Sequence, residues 1–155
     1  MGFAALSVKG RALRYLAQRE HSRVELERKL ARHVEDQPEA SAQQQIAAAL
    51  DELAAKGLLS DQRAADAVLC GQGARFGSRR LKQTLQTKGL EPALVAGVLQ
   101  QARATELERA REVWRRRFGA PAEDAAGRAK QMRFLAGRGF DGDVIRRVVQ
   151  ASDDD

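Results

Sequence analysis

Apolar positions recur along this chain at the three- and four-residue spacing of a helix, and no stretch alternates apolar and polar residues as a half-buried strand would. Leu26 and Leu30, then Ile46, Leu50 and Leu53, then Leu81 and Leu85, then Val95, Val98 and Leu99 mark successive stripes. The ends of the elements are set by capping chemistry. Ser22-Arg23-Val24-Glu25 has the form of a capping box, in which a hydroxyl and a carboxylate serve the orphan amides of a helix start, and Ser41 to Gln44 and Thr105 to Glu108 have the same form. Gly77-Ser78 starts another helix. Lys56-Gly57-Leu58, Lys88-Gly89-Leu90 and Arg138-Gly139-Phe140 each place a cation in a last turn, a glycine where a left-handed backbone is needed, and an apolar residue beyond it. The spacing predicts nine helices, near 10–19, 22–33, 41–56, 61–72, 78–88, 91–103, 105–118, 124–138 and 141–151.

The pattern also repeats. Leu85, Lys88, Gly89, Leu90, Glu91, Leu94, Val95, Val98 and Leu99 return fifty residues later as Leu135, Arg138, Gly139, Phe140, Asp141, Val144, Ile145, Val148 and Val149. A repeat of this size is a supersecondary unit that cannot bury its apolar face alone, so copies stack into an elongated array. The expected organisation is all-α, with three tandem three-helix modules. The first covers 1–60, diverged and carrying an inserted loop near 34–40; the second, basic, covers 61–104; the third covers 105–155 and ends in an acidic tail.

Composition narrows the function classes. No apolar run approaches the ~20 residues of a membrane span, and the opening Met1 to Leu6 lacks the pattern of a signal peptide. Cys70 is the one cysteine and has no partner for an internal disulfide. These features point to the cytoplasm, with no membrane role, and the chain is expected to be a monomer. The net charge is +6 and the isoelectric point about 10.1, which favours an anionic partner. The excess lies in the middle: residues 61–105 hold seven Lys/Arg against three Asp/Glu. The terminal Asp153-Asp154-Asp155 is expected to be frayed and solvated.

Catalytic chemistry is missing from the pattern. His21 and His33 have no second ligand at metal spacing, Gly71-Gln72-Gly73 lacks the Lys-Ser/Thr of a phosphate loop, and the carboxylates sit on charged helix faces where i, i+4 pairing accounts for them. The expectation is a protein that is not an enzyme, with no cofactor and no metal. The basic residues are more informative. Arg79, Arg80 and Lys82 occupy the first turn of the helix begun by Ser78, where the dipole is positive and cations cost roughly 0.3 to 1 kcal/mol each. Cations placed against the dipole without visible compensation mark a candidate binding site. Arg79, Lys82 and Gln86 share the face turned away from Leu81 and Leu85, and Arg75 and Phe76 stand just upstream. An anion docking there is expected to meet cations and free backbone amides together. Arg115, Arg116 and Arg117 form a second cluster at a helix end, where the dipole already favours them. Trp114, Phe118, Phe134 and Phe140 read as core and staple residues, with Phe134 on a different face from Leu135.

In this order the segments Leu13 to Ser22 leading into Glu25 to Leu30, Leu53 to Asp61, Gly77 to Leu85 with Lys88-Gly89-Leu90, Arg117-Phe118-Gly119, and Arg133 to Phe140 resemble the RecX family, bacterial modulators of the RecA recombinase, over nearly the whole chain. The chain departs from the family's usual pattern after Lys56-Gly57, where Ser60 replaces an aspartate and Ala64 an aromatic residue. The resemblance implies a curved, elongated body of three three-helix modules that lies in the groove of the RecA filament on DNA. There it restrains ATPase activity, strand exchange, homologous recombination and the SOS response, without catalytic residues or cofactor. The competing reading is a helix-turn-helix or nonspecific DNA-binding protein, to which the three-helix units and basic middle are also suited. A weak direct contact to DNA is compatible with either.

Overall fold

A computed structural model describes residues 5–151; the Asp153 to Asp155 tail and the first four residues lie outside the described residues. The described residues form nine helices and no strand: α1 (Val8–Gln18), α2 (Arg23–Ala31), α3 (Ala42–Ala55), α4 (Asp61–Gln72), α5 (Ser78–Thr87), α6 (Pro92–Ala104), α7 (Glu106–Arg117), α8 (Ala125–Gly137) and α9 (Gly142–Ala151). They gather into two compact units, Met1–Ala65 with Lys88–Leu90, and Asp66–Thr87 with Glu91–Asp155.

In the first unit α1, α2 and α3 enclose Ala12, Leu26, Leu30, Ile46, Leu50, Leu53 and Leu59, with Tyr15 and Leu16 packed alongside. The capping boxes at Ser22/Glu25 and Ser41/Gln44 form as the sequence predicts. α1 begins two residues earlier than the expected 10–19, because the Ser7 hydroxyl accepts the Gly10 amide and Val8 packs on the core. The Lys88-Gly89 turn belongs to this unit for two reasons. The Ser22 hydroxyl donates to the Lys88 carbonyl at 2.6 Å, and a Cβ on Gly89, whose φ is +68°, would strike Val24.

Glu25 sits at this junction. Its carboxylate accepts from the Arg19 guanidinium at 2.8 Å, the Ser22 amide at 3.0 Å and the Lys88 ammonium at 3.1 Å. Partial burial works against its charge, but these donors hold the carboxyl at about 2. His21 beside it is fully buried. Its Nδ1 lies 3.0 Å from the Arg19 carbonyl and its Nε2 2.9 Å from the Lys29 ammonium, an arrangement that suits the neutral ring, donating from Nδ1 and accepting at Nε2. Burial, together with the Arg19 and Lys29 charges, lowers its affinity for a proton. Both groups make the unfolded chain the stronger proton binder. Stability should therefore fall as pH drops through the ordinary histidine range near 6.5, and fall again between the ordinary carboxylate value of 4.5 and about 2. Urea unfolding at pH 7.5, 5.5 and 3 is the check, and Glu25→Gln should flatten the lower limb while leaving the upper one in place, since the Glu25 charge only opposes the lowering at His21.

In the second unit α7, α8 and α9 enclose Ala110, Leu135, Phe140, Ile145, Val148 and Val149, while α5 and α6 bury Leu81, Leu85, Val95, Val98, Leu99 and Ala102. The fifty-residue echo is an echo of burial. From 81 to 100 and from 131 to 150 buried and exposed positions follow nearly the same order, and Gly89 and Gly139 share a positive φ. One expected cap is absent. Thr105 makes no side-chain cap bond, and its backbone is not extended. Glu106, inside the expected Thr105 to Glu108 capping box, is instead buried and engaged elsewhere.

Candidate functional site

The start of α5 is built around a backbone crossing. A Cβ at Gly77 would lie 2.3 Å from the Phe140 Cα, so only glycine lets the two strands of backbone pass. Across this contact the Gly77 amide donates to the Arg138 carbonyl at 2.9 Å and the Arg79 amide to the Gly139 carbonyl at 3.0 Å. Glu106 fills the space between. One carboxylate oxygen accepts from the Ser78 amide and the Asp141 amide, each at 3.1 Å, and the other from the Ser78 hydroxyl at 2.8 Å. The expectation of free amides awaiting an anion at this helix start is thereby corrected: carbonyls and a carboxylate of the chain itself already occupy them. That carboxylate also meets the positive ends of α5 and α9, offsetting the dipole that was to penalise Arg79, Arg80 and Lys82.

Arg109 fixes the turn ahead of α5. Its half-buried guanidinium donates to the Gly73, Phe76 and Ala102 carbonyls; burial works against its charge, and neighbouring Glu106 works for it. The Phe76 ring so placed carries the Arg80 guanidinium at 4.1 Å from its centroid, with Arg75 at 5.4 Å and Arg138 at 5.7 Å. Arg138 also reaches the Phe134 ring at 5.2 Å, as Arg117 does at 5.6 Å, and Phe118 meets that ring edge-on at 5.4 Å. Cations over aromatic faces at these distances are held by the ring quadrupole. Beside the Phe134 ring lies a groove of about 310 Å³, floored by Ala74, Val113 and Phe134 and edged by Arg75, Arg116, Arg117 and Arg138, with Glu112 the one acidic lining residue.

The two basic clusters of the sequence are thus sorted differently from their order along the chain. Arg75 joins Arg116 and Arg117 in the lining of the groove, while Arg80 lies over Phe76 outside it. Arg79, Lys82 and Gln86 stay exposed along α5 and line no part of the groove. Arg115 and Arg116 share Glu112 at 2.7 and 2.9 Å, but Arg117 pairs with no carboxylate among the described residues. The same holds for Arg75, Arg79, Arg80, Lys82 and Arg138. Sequence reasoning missed Arg138 and Phe134 as members. Arg138 read only as a cation closing a helix; the usable signal was Phe134, set off from the face of Leu135. No group of three or more metal-ligating side chains occurs among the described residues, and no helix is long and apolar enough to cross a membrane.

Because Arg79 and Lys82 are exposed and form no ion pair among the described residues, reversing both to Glu should leave thermal stability within about 0.5 kcal/mol of the parent. Arg80→Glu removes the guanidinium from the Phe76 ring and should cost about 1 kcal/mol. Thermal melts of the two variants check this order.

The chain has extensive relatives. A family profile described as the third three-helix domain of RecX matches residues 104–149. "Regulatory protein RecX" of Leptothrix cholodnii is 51% identical over 148 residues, covering 96% of this chain and 90% of that protein. The protein of the same name from Ralstonia nicotianae is 45% identical, covering 96% and 89%. Among solved structures, the crystal structure of RecX from Lactobacillus salivarius superposes with a TM-score of 0.75 at 20% identity and covers 94% of each chain; at that identity it speaks for the fold.

Proposed function

The chain belongs to the RecX family of regulatory proteins, and from that premise we propose that it restrains the RecA recombinase by binding in the groove of the RecA filament on DNA. In this reading it acts as a cytoplasmic monomer of three three-helix modules, 1–60, 61–104 and 105–155, without catalysis of its own. It lowers filament ATPase and strand exchange and so limits homologous recombination and the SOS response. The observation that carries the reading is the set of cations at Arg75, Arg79, Arg80, Lys82, Arg117 and Arg138, which the described residues leave without carboxylate partners. Cations kept unpaired on a folded surface contribute little to stability and are available to an anionic partner.

A nucleoprotein satisfies that requirement with both protein carboxylates and phosphates. Direct affinity for naked DNA should be no tighter than roughly micromolar at physiological salt. The log-log salt slope should be only a few, since each neutralised phosphate adds about 0.9 on duplex. The test is RecA ATPase on single-stranded DNA with this protein present in substoichiometric amount. Strong inhibition while RecA keeps its DNA supports the reading; inhibition only in proportion to RecA displaced from DNA supports competition for DNA. Nanomolar, sequence-selective binding to naked duplex would replace the regulator with a helix-turn-helix DNA binder.

A further inference from the structure

We propose that the groove lined by the Phe134 ring is a receptor for an acidic segment of a partner protein, taking one carboxylate on Arg117 and Arg138 and a neighbouring apolar side chain on the floor of Ala74, Val113 and Phe134. The partner is taken from the regulator reading above, on which the proposal rests to that extent. Arg117 and Arg138 lie over aromatic rings at 5.2 to 5.7 Å, contacts that use guanidinium faces and leave N–H edges for a ligand. Those edges match a planar carboxylate bidentately. The Phe134 ring is already engaged by Arg117 and Arg138 and meets Phe118 edge-on, contacts that a stacking nucleic-acid base would compete with.

Charge and floor choose between anions. Glu112 stands in the lining with both oxygens committed to Arg115 and Arg116. A phosphodiester strand running through the groove would set a charged backbone against the apolar floor, whereas a peptide can place one carboxylate beside Arg117 and Arg138 and an apolar side chain on Ala74, Val113 and Phe134. The floor is apolar, suited to an aliphatic or aromatic residue adjacent to an Asp or Glu. A peptide of acidic and apolar residues satisfies both parts of the site at once.

The occupant is identified by placing the photoreactive residue p-benzoylphenylalanine at Ala74 and irradiating the protein on RecA filaments assembled on single-stranded DNA. The expected adduct joins Ala74's position to a RecA peptide containing Asp or Glu. Arg117→Glu with Arg138→Glu should reduce both that adduct and the inhibition of RecA ATPase at least tenfold, with the melting temperature of Arg117→Glu alone, which removes only ring contacts, serving as the control for folding. Crosslinks to nucleotides, or charge-reversed protein that inhibits like the parent, would overturn the proposal while leaving the regulator reading intact. Failure of the unmodified protein to inhibit RecA overturns the regulator reading itself.

Discussion

Glu106→Ala should cost about 3 to 5 kcal/mol of unfolding free energy, as orphaning several buried donors at about 1 to 3 kcal/mol each does, whereas Glu106→Gln should cost only about 1. The carboxylate is 2% exposed and accepts from the Ser78 amide, the Ser78 hydroxyl and the Asp141 amide. Alanine orphans all three donors in the interior. Glutamine keeps an oxygen for the two amides, and its NH₂ can donate to the Ser78 hydroxyl once that group turns round. The contrast between the two variants separates lost hydrogen bonds from lost volume. Urea unfolding is the measurement. An alanine variant within about 1 kcal/mol of the parent would mean that Glu106 does not join the α5 and α9 helix starts.

Leu135→Ala and Leu85→Ala should each cost about 2 to 5 kcal/mol, the range for a leucine deleted from a closed core. Both side chains are fully buried, Leu135 against Phe140, Ile145 and Val149 on α9 and the turn before it, and Leu85 at the equivalent position of α5. The cavity left in a core this thin has few neighbours able to collapse into it, which places the expected loss toward the upper end. Leu81 or Ile145 truncated to alanine should behave similarly, while Leu58→Ala, exposed beyond the α3 stop, should change stability by less than about 0.5 kcal/mol. Equal effects at Leu58 and Leu135 would break the correspondence between the sequence repeat and the repeat of burial.

Local chemistry made most of the fold legible. The capping boxes at Ser22 and Ser41, the left-handed stops at Gly57, Gly89 and Gly139, and the recurrence of Leu85 at Leu135 are read within a few residues, and the structure realises each of them. Thr105 to Glu108 failed as a capping box for a nonlocal reason. The Ser78 and Asp141 donors that draw Glu106 inward lie twenty-eight and thirty-five residues away, and nothing near Thr105 announces them. The same distance effect explains the site. Arg79, Arg80 and Lys82 look equivalent on a helical wheel's first turn, yet Arg80 alone lies over Phe76. Arg115, Arg116 and Arg117 look like one cluster, yet Glu112 takes two of them and Phe134 the third. Charge runs show which residue types are available. Which of them share a groove depends on packing that brings Arg138 and Phe134 beside residues sixty positions earlier.

Filament recognition is tested most directly by sedimenting this protein with preformed RecA filaments on single-stranded DNA, and in parallel with the same DNA alone, at a salt concentration high enough to abolish binding to the naked strand. Regulation through the filament predicts that the protein pellets with RecA filaments under those conditions, and that Arg117→Glu with Arg138→Glu releases it. Protein that stays in the supernatant with filaments at the salt where it leaves naked DNA would contradict the account.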